Sequence, residues 1–179
     1  MIALPLALLL LQQVPPVDAE SAIDWDKEFG VEEQVRDPVT GEIPVDPYEQ
    51  SNANAGARPF SGTEMAATFG GQDGIRAIAE RTVDLSQEDP RIAAIFAAHD
   101  MVRLKRTLFE QFCYMLNAGC DYTGRDMAKA HENMGVTMRD MNALVENLQQ
   151  SMREQGVPFA AQNRFLAKLA PMSKDVTGE

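Results

Sequence analysis

Apolar residues are distributed in three different ways along this chain of 179 residues. They form one run near the N-terminus, they are scattered without a period over residues 20–59, and from Phe60 onward they recur at steps of three and four. That last spacing places side chains on one face of an α-helix. Residues 60–179 contain no alternating apolar and polar run typical of a strand, so we predict an all-α domain there.

Capping and turn residues divide this region into helices. The first long helix follows Phe69-Gly70-Gly71 and carries on one face Ile75, Ile78, Thr82, Val83 and Leu85. Asp89-Pro90, a cap followed by proline at the first helical position, opens a short helix that carries Ile92, Ile95 and Phe96. Asp100 caps a longer helix that ends at Asn117-Ala118-Gly119 and has an apolar face of Met101, Leu104, Leu108, Phe112 and Met115.

One capping device occurs twice in the C-terminal third. Thr123 with Asp126, and Thr137 with Asp140, each resemble a capping box in which Asp replaces Glu. The first opens a short segment ending at Gly135, and the second opens a helix that carries Met138, Met141, Leu144, Val145, Leu148 and Met152. Pro158 starts the last predicted helix, which stops at Pro171 and carries Phe159, Phe165, Leu166 and Leu169.

The N-terminus has the outline of a signal peptide. Ile2 to Leu11 is a run of about ten apolar residues, shorter than the roughly 20 that a membrane-spanning helix needs. The small-residue pattern Val17-Asp18-Ala19 follows it. We therefore expect residues 1–19 to be cleaved and the protein to be secreted or periplasmic. Alternatively, the segment is an uncleaved anchor, or the start codon was wrongly chosen. If the protein is not exported, we expect it to be cytoplasmic.

Residues 20–59 are rich in Asp, Glu, Pro, Gly, Asn and Ala. Their apolar residues follow no period of two or 3.6, so we predict a poorly structured acidic extension or linker. Trp25 and Phe29 either anchor it to the domain or face solvent.

Composition excludes several classes of partner and site. The formal charge of −11, from 27 acidic and 16 basic residues, repels nucleic acid and anionic lipid head groups. The two His and two Cys residues match no zinc motif. Cys113 and Cys120, seven residues apart, form either a disulfide in an oxidising compartment or a pair of reduced thiols.

His131 is the main candidate for chemistry. It lies four residues after Met127 on a short predicted helix, so both side chains point to the same side. An imidazole beside an apolar surface can hold a haem iron while apolar side chains sandwich the macrocycle. Taken alone, a single histidine on a short helix is more often an ordinary half-exposed or hydrogen-bonded residue than a metal ligand.

The surrounding motifs give His131 a context. From residue 69 to residue 171, the chain resembles the group-one truncated haemoglobins in the segments Phe69-Gly70-Gly71, Asp100-Met101, Tyr122-Thr123-Gly124-Arg125-Asp126-Met127, His131, Gly135-Val136-Thr137, Gly156-Val157-Pro158 and Leu169-Ala170-Pro171. The resemblance implies a two-over-two helical globin sandwich that holds haem b. It also implies that His131 is the proximal iron ligand and that Phe96 packs on the porphyrin.

The chain departs from that family on the ligand side of the haem. Thr82-Val83 stands where members commonly have Phe-Tyr. In those members the tyrosine hydroxyl donates a hydrogen bond to bound oxygen. The family's distal positions fall on Leu104 and Leu108, where a glutamine is common, and Thr107 replaces a histidine of some relatives. We therefore expect an apolar distal pocket with Thr82 as its only nearby hydroxyl.

The sequence thus predicts a truncated globin that reversibly binds oxygen, CO and NO. A nitric-oxide-processing or redox haem enzyme with an electron-donating reductase, and a haem-free globin-fold interaction module, remain alternatives. The predicted cofactor-binding residues are Val83, Phe96, Arg103, Leu104, Leu108, Phe112, Tyr122, Met127, Lys129 and Leu144. The candidates for binding the haem propionates are Arg103, Arg106, Tyr122 and Lys129, whereas His99 is expected to be exposed.

Overall fold

The computed structural model describes residues 35–178. The predicted signal peptide, residues 1–19, and residues 20–34 of the predicted extension lie outside the described residues. The described α-helices are α1 (Glu64–Thr68), α2 (Gly71–Glu88), α3 (Ala93–Phe96), α4 (Met101–Met115), α5 (Met127–Ala130), α6 (Met138–Glu154), α7 (Phe159–Leu169) and α8 (Ser173–Thr177). Two 3-10 helices, Asn52–Ala55 and Ala170–Met172, complete this part of the chain, which contains no strand. The all-α prediction is confirmed.

Helix α2 is the centre of the packing, because it contacts both α4 and α6 along its length. Its predicted apolar face is buried throughout. A second centre is Phe165 of α7, which is fully buried. Its ring meets those of Phe69 and Phe112 edge to face, at centroid distances of 5.3 and 5.0 Å. No helix within residues 35–178 is long and apolar enough to cross a membrane.

Side-chain caps fix the starts of three described helices, α4, α5 and α6. The Asp100 carboxylate accepts from the Val102 amide, and Thr137 with Asp140 forms the complete capping box. The predicted box at Thr123 does not form, because Asp126 alone caps α5 by accepting from the Lys129 amide. The Thr123 hydroxyl instead donates to the Glu110 carboxylate at 2.7 Å.

The C-terminal end also differs from prediction. Helix α7 ends at Leu169, but the chain continues through the 3-10 helix and α8 instead of stopping at Pro171. Proline is tolerated in the first turn of a helix, where its missing amide hydrogen has no partner to lose. Met172 and Val176 are buried as a result.

Cys113 and Cys120 form a disulfide, with their Cα atoms 5.6 Å apart. The bridge joins the buried end of α4 to the loop before Tyr122. Closing so short a loop stabilises the fold by about 2.5 kcal/mol on the chain-entropy estimate.

Residues 35–59 are not the poorly structured extension that the sequence predicts. They belong to the same compact unit as the helices. Ala55 is completely buried, and the Asn52 side chain both donates to Asp121 and accepts from the Tyr122 amide. The segment lacks a hydrophobic period because it follows an irregular path, held by individual polar contacts rather than by one apolar face.

Candidate functional site

The helices enclose a cavity of about 450 Å³, a volume within the range of cofactor sites. Its walls come from α2, α3, α4, α5 and α6, with the chain end after Leu169 closing one side. The predicted site residues that line it are Val83, Phe96, Arg103, Leu104, Leu108, Phe112, Tyr122, Met127, His131 and Leu144. The structure thus brings together side chains that are up to 61 positions apart in sequence, from 83 to 144.

His131 is half-buried at the C-terminal end of α5. Its Nδ1 lies 2.8 Å from the carbonyl oxygen of Met127. Because a carbonyl can only accept, Nδ1 carries the hydrogen, and in the neutral imidazole the lone pair is then on Nε2. This is the tautomer in which a metal-ligating histidine is normally held by its backbone.

Four hydroxyl groups line the cavity, and each donates to a backbone carbonyl. Thr82 Oγ1 bonds the Ile78 oxygen at 2.7 Å, and Thr107 Oγ1 bonds the Arg103 oxygen at 3.0 Å. Tyr48 Oη bonds the Thr123 oxygen at 2.9 Å, and Tyr122 Oη bonds the Arg125 oxygen at 2.8 Å. None of these hydroxyl hydrogens is left to point at a molecule in the cavity.

The Tyr122-Thr123-Gly124 motif has a packing explanation. The Tyr122 ring is buried and lies so close to Gly124 that a Cβ there would overlap the ring and its hydroxyl. Burial raises the pKa of Tyr122 above its usual value, so the hydroxyl stays protonated and keeps its bond. Any larger residue at position 124 would push the ring towards the cavity.

The sequence profile of the bacterial-like globin family matches residues 65–178. The chain is a truncated globin of this family. It is 27% identical over 124 residues to the group 1 truncated hemoglobin GlbN of Mycolicibacterium paratuberculosis, an alignment covering 67% of this chain and 91% of that protein. It is 24% identical over 111 residues to the group 1 truncated hemoglobin of Tetrahymena pyriformis, covering 62% and 92%.

Solved structures share the fold. The crystal structure of the Tetrahymena pyriformis truncated hemoglobin, in its Fe(III) form, superposes with a TM-score of 0.61 at 23% identity, covering 64% of this chain and 98% of that one. The 2/2 hemoglobin of a Synechococcus species, in the cyanomet state and with covalently attached heme, superposes with a TM-score of 0.59 at 22% identity.

Two of the globin's predicted propionate-binding residues lie outside the cavity lining. Lys129 faces solvent, 65% exposed, and its ammonium lies 3.4 Å from Glu132. It is two residues from Met127 and from His131, so it lies on the far side of the short helix. Arg106 donates hydrogen bonds to Glu42, Glu110 and Thr123, and the bond that it donates to Glu42 raises the pKa of its guanidinium.

Sequence reasoning missed many lining residues of the globin, among them Val45, Tyr48, Gln111 and Arg125. Gln111 follows Leu104 and Leu108 at helical spacing, so its position could have been found, and its amide donates to the Ala55 oxygen at 2.9 Å. Arg125 belongs to the family motif that runs from Tyr122 to Met127, but the sequence did not indicate that it lines a cavity. Val45 and Tyr48 come from the irregular segment, where no pattern signals them.

Proposed function

We propose that this truncated globin binds haem b through His131 and reversibly binds the diatomic gases oxygen, CO and NO. A haem iron held by His131 would supply the chemistry that binds such gases. The observation that carries the proposal is the state of His131: Nδ1 is bonded to the Met127 carbonyl, while the residue lines a largely apolar cavity.

The residues present fit a haem. Apolar side chains suited to a macrocycle, among them Phe96, Met127 and Leu144, line the same cavity as the His131 imidazole. Two guanidinium groups, Arg103 and Arg125, also line it, and Arg103 Nε is buried without a hydrogen-bond partner among the described residues. Such groups suit the carboxylates of a haem.

An apolar ligand side is the second part of the proposal. Val83 is buried, and with Leu104 and Leu108 it supplies no hydrogen-bond donor. The lining hydroxyls, Thr82 included, are bonded to backbone carbonyls. Because oxygen gains more than CO from a donor, we expect weak retention of oxygen and a relative preference for CO and NO. We therefore propose a ligand-binding role rather than an enzymatic one.

A visible absorption titration tests the proposal. Purified protein titrated with haem should show a Soret band that saturates at one haem per chain, and its reduced form should give a five-coordinate histidine-type spectrum. Failure to bind haem would favour the interaction module instead. Sustained NO consumption with a reductase would favour the enzyme.

We also propose that the protein is exported. The Cys113–Cys120 disulfide supports this, because such bridges persist mainly in oxidising compartments. Cleavage after Ala19 should leave a mature protein that begins at Glu20. Intact mass under non-reducing conditions, on protein recovered from the periplasm or medium, should match residues 20–179 with the bridge closed; a mass including Met1 would contradict cleavage.

A further inference from the structure

We propose that residues 42–48, called the strap here, form a wall of the haem pocket that slows loss of the cofactor, and that Glu42 is the residue that fixes the strap. The inference rests on the proposed haem binding. The strap precedes residues 65–178, which match the globin family, so it lies outside the part of the chain that the family profile covers.

One end of the strap is tied to α4 by charge. The Glu42 side chain is 8% exposed and forms ion pairs with both Arg103 and Arg106. Ile43, the next residue, adds two hydrogen bonds between its backbone and side chains at the start of α4. The Ile43 amide donates to the Asp100 carboxylate at 2.7 Å, and the Ile43 carbonyl accepts from the Arg103 guanidinium at 2.6 Å.

The other end is tied to the loop before α5. Tyr48 donates its hydroxyl to the Thr123 carbonyl, and the Arg125 guanidinium lies 5.1 Å from the centre of the Tyr48 ring. Tyr48 itself lines the cavity, and so does Val45, which lies between the two ends. The strap therefore runs from α4 to the loop before α5, along one side of the pocket.

Glu42 is the one carboxylate that pairs with both Arg103 and Arg106 within residues 35–178. A neutral side chain there would leave two neighbouring guanidinium groups partly unpaired, which is costly when the site is buried. Loosening this end releases Val45 from the pocket wall. Cofactor loss should then accelerate, although His131 and its hydrogen bond are untouched.

The test measures transfer of haem from the ferric protein to an excess of an apo-globin trap. Glu42→Gln should speed haem loss about tenfold, as expected from losing hydrogen bonds to a charged group. Glu49→Gln removes the same charge from an exposed residue of the same segment and should leave the rate unchanged. In the wild type, haem binding should slow amide hydrogen exchange at residues 43–48.

The outcomes separate the two proposals. If the wild-type protein binds no haem, the proposed function fails and the strap's role fails with it. If it binds haem, but Glu42→Gln loses it at the wild-type rate and residues 43–48 gain no protection, only the strap is contradicted. Should Glu42→Gln not fold, Tyr48→Ala replaces it, since this change removes a wall residue, leaves the arginine pairs in place and should also speed haem loss.

Discussion

Replacing His131 with alanine should abolish stoichiometric haem binding. His131 lines the cavity with Nδ1 bonded to the Met127 carbonyl, so the substitution removes the candidate ligand and leaves the apolar walls intact. The loss of affinity should exceed the roughly 10- to 100-fold that follows removal of a group that only orients a metal ligand. Haem titration followed by the Soret band, with circular dichroism to verify folding, measures the effect.

The chain supplies a matched control in its other histidine. His99 is exposed at the edge of the same cavity, in the turn before α4. His99→Ala should bind one haem per chain and give the wild-type ferrous spectrum. A five-coordinate histidine-type spectrum that survives in His131→Ala and disappears in His99→Ala would reassign the ligand.

Replacing Val83 with tyrosine should slow oxygen dissociation about five- to tenfold, the effect of one added hydrogen bond of about 1–1.5 kcal/mol. Val83 is buried and lines the cavity, so its replacement can present a hydroxyl to a bound gas. CO dissociation should hardly change, because CO gains less from a donor. Stopped-flow measurement of both rates on the ferrous protein gives the comparison.

Val83→Phe separates the hydroxyl from the size of the ring. Either ring can overpack a site filled by valine, at a cost of about 1–3 kcal/mol, so thermal unfolding should be measured for both variants. The phenylalanine variant should reproduce any change due to packing alone. If both variants alter oxygen dissociation equally, the hydroxyl does not reach the gas and the proposed distal position of Val83 is wrong.

Much of the helical domain could be predicted because its signals are local. The buried face of α2, the Asp100 cap and the Thr137–Asp140 box depend on residues within a few turns of each other. The same spacing put Met127 and His131 on one side of α5, where both line the cavity. The role of His131 as iron ligand came from the family resemblance and stays a prediction.

The strap could not be predicted for a physical reason. Glu42 pairs with Arg103 and with Arg106, and the latter is 64 positions away in the sequence. No hydrophobic period accompanies such contacts, since each is a single polar pair between an irregular segment and a helix. Thr123 was misread for a similar reason, because Glu110 of α4 competes for its hydroxyl.

The bond from His131 to a backbone carbonyl bears on the electron density that the imidazole can offer to an iron. A carboxylate partner would draw the Nδ1 proton away and give the ring anionic character, whereas the Met127 carbonyl leaves it neutral. A neutral donor pushes less charge onto the metal than an anionic ligand, such as the thiolate that promotes O–O cleavage in other haem proteins. If haem binds as proposed, we therefore expect this carbonyl to favour reversible gas binding over peroxide activation.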